Sequence, residues 1–158
     1  MKRSIRKGLG FGLNSGVITT LGMMVGLSAS TQSRLAVIGG IIAIAIADAF
    51  SDAVGMHISE ESENRHTEKE IWESTLSTLA SKFFIALTFV VPVLAFGLSL
   101  AIAVSVVWGL ALVIIFSHYL ATQQGAKSYK VVLEHVVIVI AVIIITHYVG
   151  KWVGAFCY

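Results

Sequence analysis

Charge is what this sequence has least of. Asp, Glu, Lys and Arg make up 13% of its 158 residues, where a soluble domain carries about 25%. With 56% apolar residues and a mean hydropathy of +0.87, the chain falls among integral membrane proteins. Cys157 is the single cysteine, which excludes a disulfide framework and a thiolate metal site within one chain. A net charge of +2, with no aromatic–basic motif, gives no reason to expect a nucleic acid partner. Pro92 is the only proline. It lies inside a hydrophobic run, where it marks a kink or the approach to a turn. There is no low-complexity segment, no convincing repeat and no polar stretch long enough for a second soluble domain.

What is present is hydrophobic length. A bilayer span takes roughly 20 apolar residues, and five segments qualify. The first covers about 11–29 and the second 35–58. No charged residue lies between Lys82 and Lys127, a length that fits a third and a fourth span joined by a tight Gly97–Leu98–Ser99 turn. The fifth covers 131–154. The expected fold is therefore an all-α integral membrane protein of five transmembrane helices. Residues 1–158 form one domain, with a short acidic segment, 59–75, between the second and third spans. MKRSIRKG reads as a retained cytosolic anchor, because no small-x-small cleavage pattern follows it. Of the 11 Lys and Arg, only Arg34 and Lys151 fall on the far side of this topology. Lys2, Arg3, Arg6, Lys7, Arg65, Lys69, Lys82, Lys127 and Lys130 gather on the other. By the positive-inside rule that side, with the N-terminus and the acidic segment, is cytosolic.

The chemistry concentrates in ADAFSDAVGMHISEESE, residues 47–63. An ionised Asp well inside a membrane helix costs about 2.5–3.5 kcal/mol, and here there are two. Asp48 and Asp52, at i and i+4, share a face that Gly55 and Met56 continue. Counted from Leu35, Asp48 lies about 20 Å along the helix, inside the bilayer. This predicts a cation or proton site on a wet path. The bland reading puts Asp52 at headgroup level and bonds Asp48 to a neighbouring helix. The acidic segment adds Glu60, Glu61, Glu63, His66, Glu68, Glu70 and Glu73. That density suits a divalent cation and equally a solvated helix interleaved with Arg65 and Lys69.

In the first span, Gly8, Gly12 and Gly16, and then Gly22 and Gly26, recur at four-residue spacing. Small residues so spaced let helices approach closely in lipid, and Gly12, Gly16, Gly22 and Gly26 are the expected dimer interface. Asn14, Ser15, Thr19 and Thr20 are placed to hydrogen-bond there. Met23 and Met24 offer thioethers, or packing. His118 and His147 read as hydrogen-bonded packing residues, and Glu134 and His135 as interfacial.

In their order these features resemble the vacuolar iron transporter family. GLNSGVITTLGMMVGLSAS resembles its first-helix signature, N-D-G-hydrophobic-T-T…G, and ADAFSDAVGMHISEESE its second, small-small-hydrophobic-S-M-x-x-G-E-Y-x-S. STLASKFFIALTFVVPVLAFG and GAKSYKVVLEHVVIVIAVIIITHYVGKWVG are similar to the third and last helices. The resemblance implies a homodimer with its pore between the first two helices of each chain. It implies export of Fe²⁺ or Mn²⁺ from the cytosol by proton antiport, with metal as substrate and no tightly bound cofactor. The membrane implied is a prokaryotic plasma membrane. On this reading Asp48, Asp52, Met56, Glu60, Glu61, Glu63, His66 and Glu70 bind metal, and Asn14, Ser15, Thr19, Met23, Ser51 and His57 line the pore. The departures are local. Ser15 stands where the family has Asp, Asp52 where it has Met, and Met56 where it has Glu. In a two-fold dimer, Asp48 and Asp52 would then present four carboxylates around one axis, an oxygen-rich site suited to hard cations.

Two rivals remain at this point. Asp48-x-x-x-Asp52 also occurs in CDP-alcohol phosphotransferases, but their upstream D-G-x-x-A-R is absent and Ile44 replaces a required glycine; no enzyme is expected. A scaffold or sensor of the same fold is the second rival.

Overall fold

The structure, a computed structural model, describes residues 2–123, 125 and 127–157. Its elements are α1 (Arg3–Thr31), α2 (Arg34–Ser62), α3 (Glu68–Thr88), α4 (Val90–Ala95), α5 (Leu98–Gln123) and α6 (Ser128–Cys157). Five stretches are long and apolar enough to cross a membrane, with α3 and α4 together, Glu68–Ala95, making the third. The chain is a multi-pass integral membrane protein.

The helices outrun the apolar segments at both ends, because their polar ends remain helical. Gln32 ends α1 in the left-handed conformation (φ 51°) and Ser33 caps α2, accepting from the Ala36 amide at 3.2 Å. Between α2 and α3 only Glu63–Thr67 leaves the helices, and Thr67 opens α3 with a reciprocal Thr67–Glu70 capping box. Pro92 has no amide hydrogen to give to the Thr88 carbonyl, and the helix breaks there, at the α3–α4 junction. The turn to α5 falls at Phe96–Gly97, so Leu98 and Ser99 already belong to α5.

One expectation about this span is corrected. The sequence reading began the third span after Lys82 and counted that lysine among the cytosolic charges. Lys82 is instead in the middle of the span and 1% exposed. A hydropathy reading stops at a charge; the chain does not, because the charge is neutralised inside the bundle.

α1 is the innermost helix. In its apolar window 61% of residues are buried, against 6% in α6. Leu13, Val17, Leu21 and Met24 form the core with Val37 and Ile41 of α2, Phe89 and Val93 from the third span, Val113 of α5 and Val139 of α6. Glycine makes that centrality possible. A Cβ on Gly12 would lie 2.5 Å from the Thr78 carbonyl oxygen, and one on Gly16 3.3 Å from the Lys82 stem. A Cβ on Gly22 would lie 2.8 Å from Val142. The close approach that the glycine spacing predicts is thus present, but the expected dimer interface is corrected. At Gly12, Gly16 and Gly22 the approach is between helices of one chain, which fill the space a second chain would need. Gly26 faces Thr146 and Gly150 of α6. On the outside, α2 exposes Ile46, Phe50, Val54 and Ile58, an apolar stripe at the helical repeat.

Candidate cation site

The four-residue spacing of α2 sets Asp48, Asp52, Met56 and Glu60 along one stripe, about 18 Å from end to end at 1.5 Å per residue. Asp48 and Asp52 keep 26% and 21% of their side chains accessible, while Met56 is 8% and Glu60 1% exposed.

A cation already stands between the two aspartates. The Lys82 ammonium lies 2.7 Å from Asp48 Oδ2 and is ion-paired with Asp52 Oδ2. It also donates to Ser15 Oγ at 2.9 Å, and Ser15 donates in turn to Asp52 Oδ2 at 2.6 Å. Three helices build the group: α2 supplies the anions, α3 the ammonium and α1 the hydroxyl. The lysine stem crosses α1 at Gly16, where a side chain would crowd it. An unpaired buried ammonium is penalised by several kcal/mol, so this stem and this headgroup need the glycine and the aspartates together. Sequence reading missed Lys82. The available signal was its place fifteen residues into a stretch that is helical from Glu68.

At the end of the bundle that carries the chain's N-terminus, Glu60 is ion-paired with Lys7 of α1 and lies 3.4 Å from His66 Nε2. His66 also meets Glu63 at 3.3 Å, and Lys7 meets Glu63 at 3.6 Å. The His66 hydrogen bond first, and the Lys7 charge second, hold the exposed Glu63 carboxyl below its ordinary value. A cavity of about 430 Å³ is lined there by Glu60, Glu63, Glu70 and His66, but also by Arg3, Lys7 and Arg65. Three carboxylates thus face three permanent cations. Glu70 is engaged in the capping box, and Glu61 is exposed.

The remaining residues divide between a groove and packing. Asn14 and Ser15 line an open groove of about 990 Å³ between α1, α5 and α6, with Arg3 and Arg6 at one end and Phe11, Ile18 and Leu120 along its walls. Asn14 donates to the Gly10 carbonyl at 3.2 Å and leaves Oδ1 buried without a partner. Thr19 donates to the Ser15 carbonyl, Met23 packs on Gly40 of α2, and Ser51 is exposed. His57 meets Thr75 at 3.1 Å and the Trp72 ring at a centroid distance of 4.8 Å. Among the described residues, no three His, Cys, Asp or Glu side chains converge as a metal-binding group. Within one chain the mid-span site therefore offers two carboxylates and an ammonium.

No curated protein matches the chain. The sequence pattern of the VIT family matches residues 9–73, which carry most of α1, all of α2 and the start of α3. That stretch holds Ser15, Asp48, Asp52 and Glu60, and over it the chain is similar to the VIT family.

Proposed function

We propose that the protein transports a divalent metal cation, Fe²⁺ or Mn²⁺, out of the cytosol in exchange for protons, as a homodimer. The family suggests a metal ion transporter. The observation that carries the finer reading is the Asp48–Asp52 pair: two carboxylates on one face of α2, deep in a span, each still about one quarter accessible. An intramembrane carboxylate that water can reach is the usual mark of an ion or proton path. Asp48, Asp52 and Ser15 present oxygen to the cargo, which suits a hard divalent ion. Met56 and Glu60 extend the stripe toward the Glu63–His66 end. That end, read as cytosolic from its basic residues, is an entry vestibule whose field is balanced rather than strongly negative.

In the dimer, four carboxylates and two ammoniums face one axis. Cargo and protons compete for the same carboxylate oxygens, so cargo entry releases protons and cargo exit takes them up. This couples the two fluxes.

Uptake of Mn²⁺ and Fe²⁺ into proteoliposomes under an imposed proton gradient tests the reading. We expect uptake by the wild type and a roughly tenfold loss of it in Asp48→Asn and Asp52→Asn, each of which removes an intramembrane carboxylate. No uptake by well-folded protein of either orientation rejects transport. A second reading, a scaffold of the same fold, is favoured by the Lys82 contacts, since both aspartates already have a partner. It requires that metal leave the thermal stability unchanged.

A further inference from the structure

We infer that the Lys82 ammonium is a tethered occupant of the cation site, and that cargo binds by displacing it from Asp48 and Asp52. The inference rests on the transport reading above, and deepens it by naming the residue that sets how tightly the site holds its ion.

The geometry carries it. Lys82 takes the position between the two carboxylates that an incoming ion needs, within ion-pair distance of Asp48 and Asp52 and 2.9 Å from Ser15 Oγ. Its side chain is 2% exposed, so its charge is screened by these partners and not by water. No second cation fits between the same oxygens while the ammonium stays: like charges a few ångström apart repel strongly where water is scarce. A side chain differs from a free ion in one respect. It is never diluted, so it returns at high effective concentration whenever the cargo leaves. Lys82 thus weakens cargo binding and speeds release.

Serine at position 15 fits the same arrangement. Its hydroxyl accepts from the ammonium and donates to Asp52, whereas a third carboxylate would bind the ammonium more firmly and oppose its displacement.

Equilibrium binding of Mn²⁺ to the purified protein in nanodiscs, by isothermal titration calorimetry, tests the proposal beside the uptake assay. Lys82→Met is expected to bind Mn²⁺ roughly tenfold or more tightly than wild type, because a unit charge next to the ligand is gone. Its uptake is expected to slow, since release becomes limiting. Lys82→Arg keeps the charge and is expected to bind no more tightly than wild type. Lys82→Gln keeps a donor for Ser15, and serves if the methionine variant does not fold. The pair Asp52→Asn and Asp52→Asn/Lys82→Met repeats the comparison with one buried anion fewer, and must show the same tightening. Equal or weaker binding without the lysine overturns the tether, while Asp48- and Asp52-dependent uptake would leave transport standing. Binding by Lys82→Met but not by wild type supports the tether and removes transport by the wild type. Absence of binding in every variant overturns both.

Discussion

α2 meets a lysine twice. About two helical turns separate Asp52 from Glu60, and the Asp48–Asp52 pair and Glu60 are each neutralised from another helix, by Lys82 of α3 and by Lys7 of α1. The Lys82 side chain is 2% exposed and that of Lys7 44%. Water therefore shares the charge of Lys7 and contributes almost nothing to that of Lys82. The anions run the other way, since Glu60 is 1% exposed while Asp48 and Asp52 keep about a quarter of their side chains accessible. A lone lysine is penalised more mid-span, and a lone carboxylate more at Glu60. The same kind of pair is shared with water on its cation side at the end of the bundle, and mid-span it holds a cation that water does not reach.

Removing the cations separates the two regions most widely. Lys82→Ala leaves two partly buried carboxylates facing each other, and is expected to destabilise the protein by about 3–5 kcal/mol. Lys7→Met leaves the buried Glu60 with only His66 beside it, and is expected to cost about 1–3 kcal/mol. Thermal unfolding in detergent measures both, and equal losses would erase the distinction drawn here. A charge-balanced double variant, Asp52→Asn/Lys82→Met, should recover part of the Lys82 loss, and a double-mutant cycle gives the amount.

Glycine substitutions probe the same regions through packing. Gly12→Ala places a Cβ against the Thr78 carbonyl, a backbone atom that cannot turn aside. It is expected to cost about 1–3 kcal/mol. Gly16→Ala meets the Lys82 Cγ and carbonyl oxygen at 3.3 Å, a looser approach than at Gly12, so its loss should be smaller. Gly39 and Gly55 have open space at the same point. Alanine there is expected to be neutral, or stabilising by about 0.5–1 kcal/mol.

The smallest effect concerns pH at the wet end. His66 and Lys7 lower the Glu63 pKa from its ordinary value of 4.5. A depressed carboxylate contributes stability that is fully present above its unfolded pKa, and that stability is lost as pH falls through the lower folded value. Melting temperature should therefore fall more steeply below pH 4.5 in wild type than in Glu63→Gln. Because Glu63 is exposed, parallel curves would show that solvent screens the contact completely.

Much of this was readable in advance, and the failures share a cause. Five spans follow from hydropathy because a helix in lipid satisfies its own backbone, and the pairing of Asp48 with Asp52 follows from the helical repeat. The glycine spacing announced close approach but pointed to a second chain, whereas the partner of Gly12 and Gly16 is α3. Glu70 looked like one more acidic donor. It belongs to a Thr67-x-x-Glu70 capping box, a pattern visible in the sequence that the density of neighbouring glutamates obscured. Lys82 was assigned to the membrane surface because a lone charge in an apolar run is costly. Its neutralising partners lie some thirty residues earlier, on another helix.

The sequence by itself determined that this chain crosses a membrane on five helices and places two carboxylates on one face of the second. Length, hydropathy and helical period are properties of local chain, and they act before any helix meets another. Which cation answers those carboxylates was decided only when α1, α2 and α3 packed. Burial, the Gly16 gap and the reach of one lysine stem come into being together there, and none of them exists in a helix taken alone.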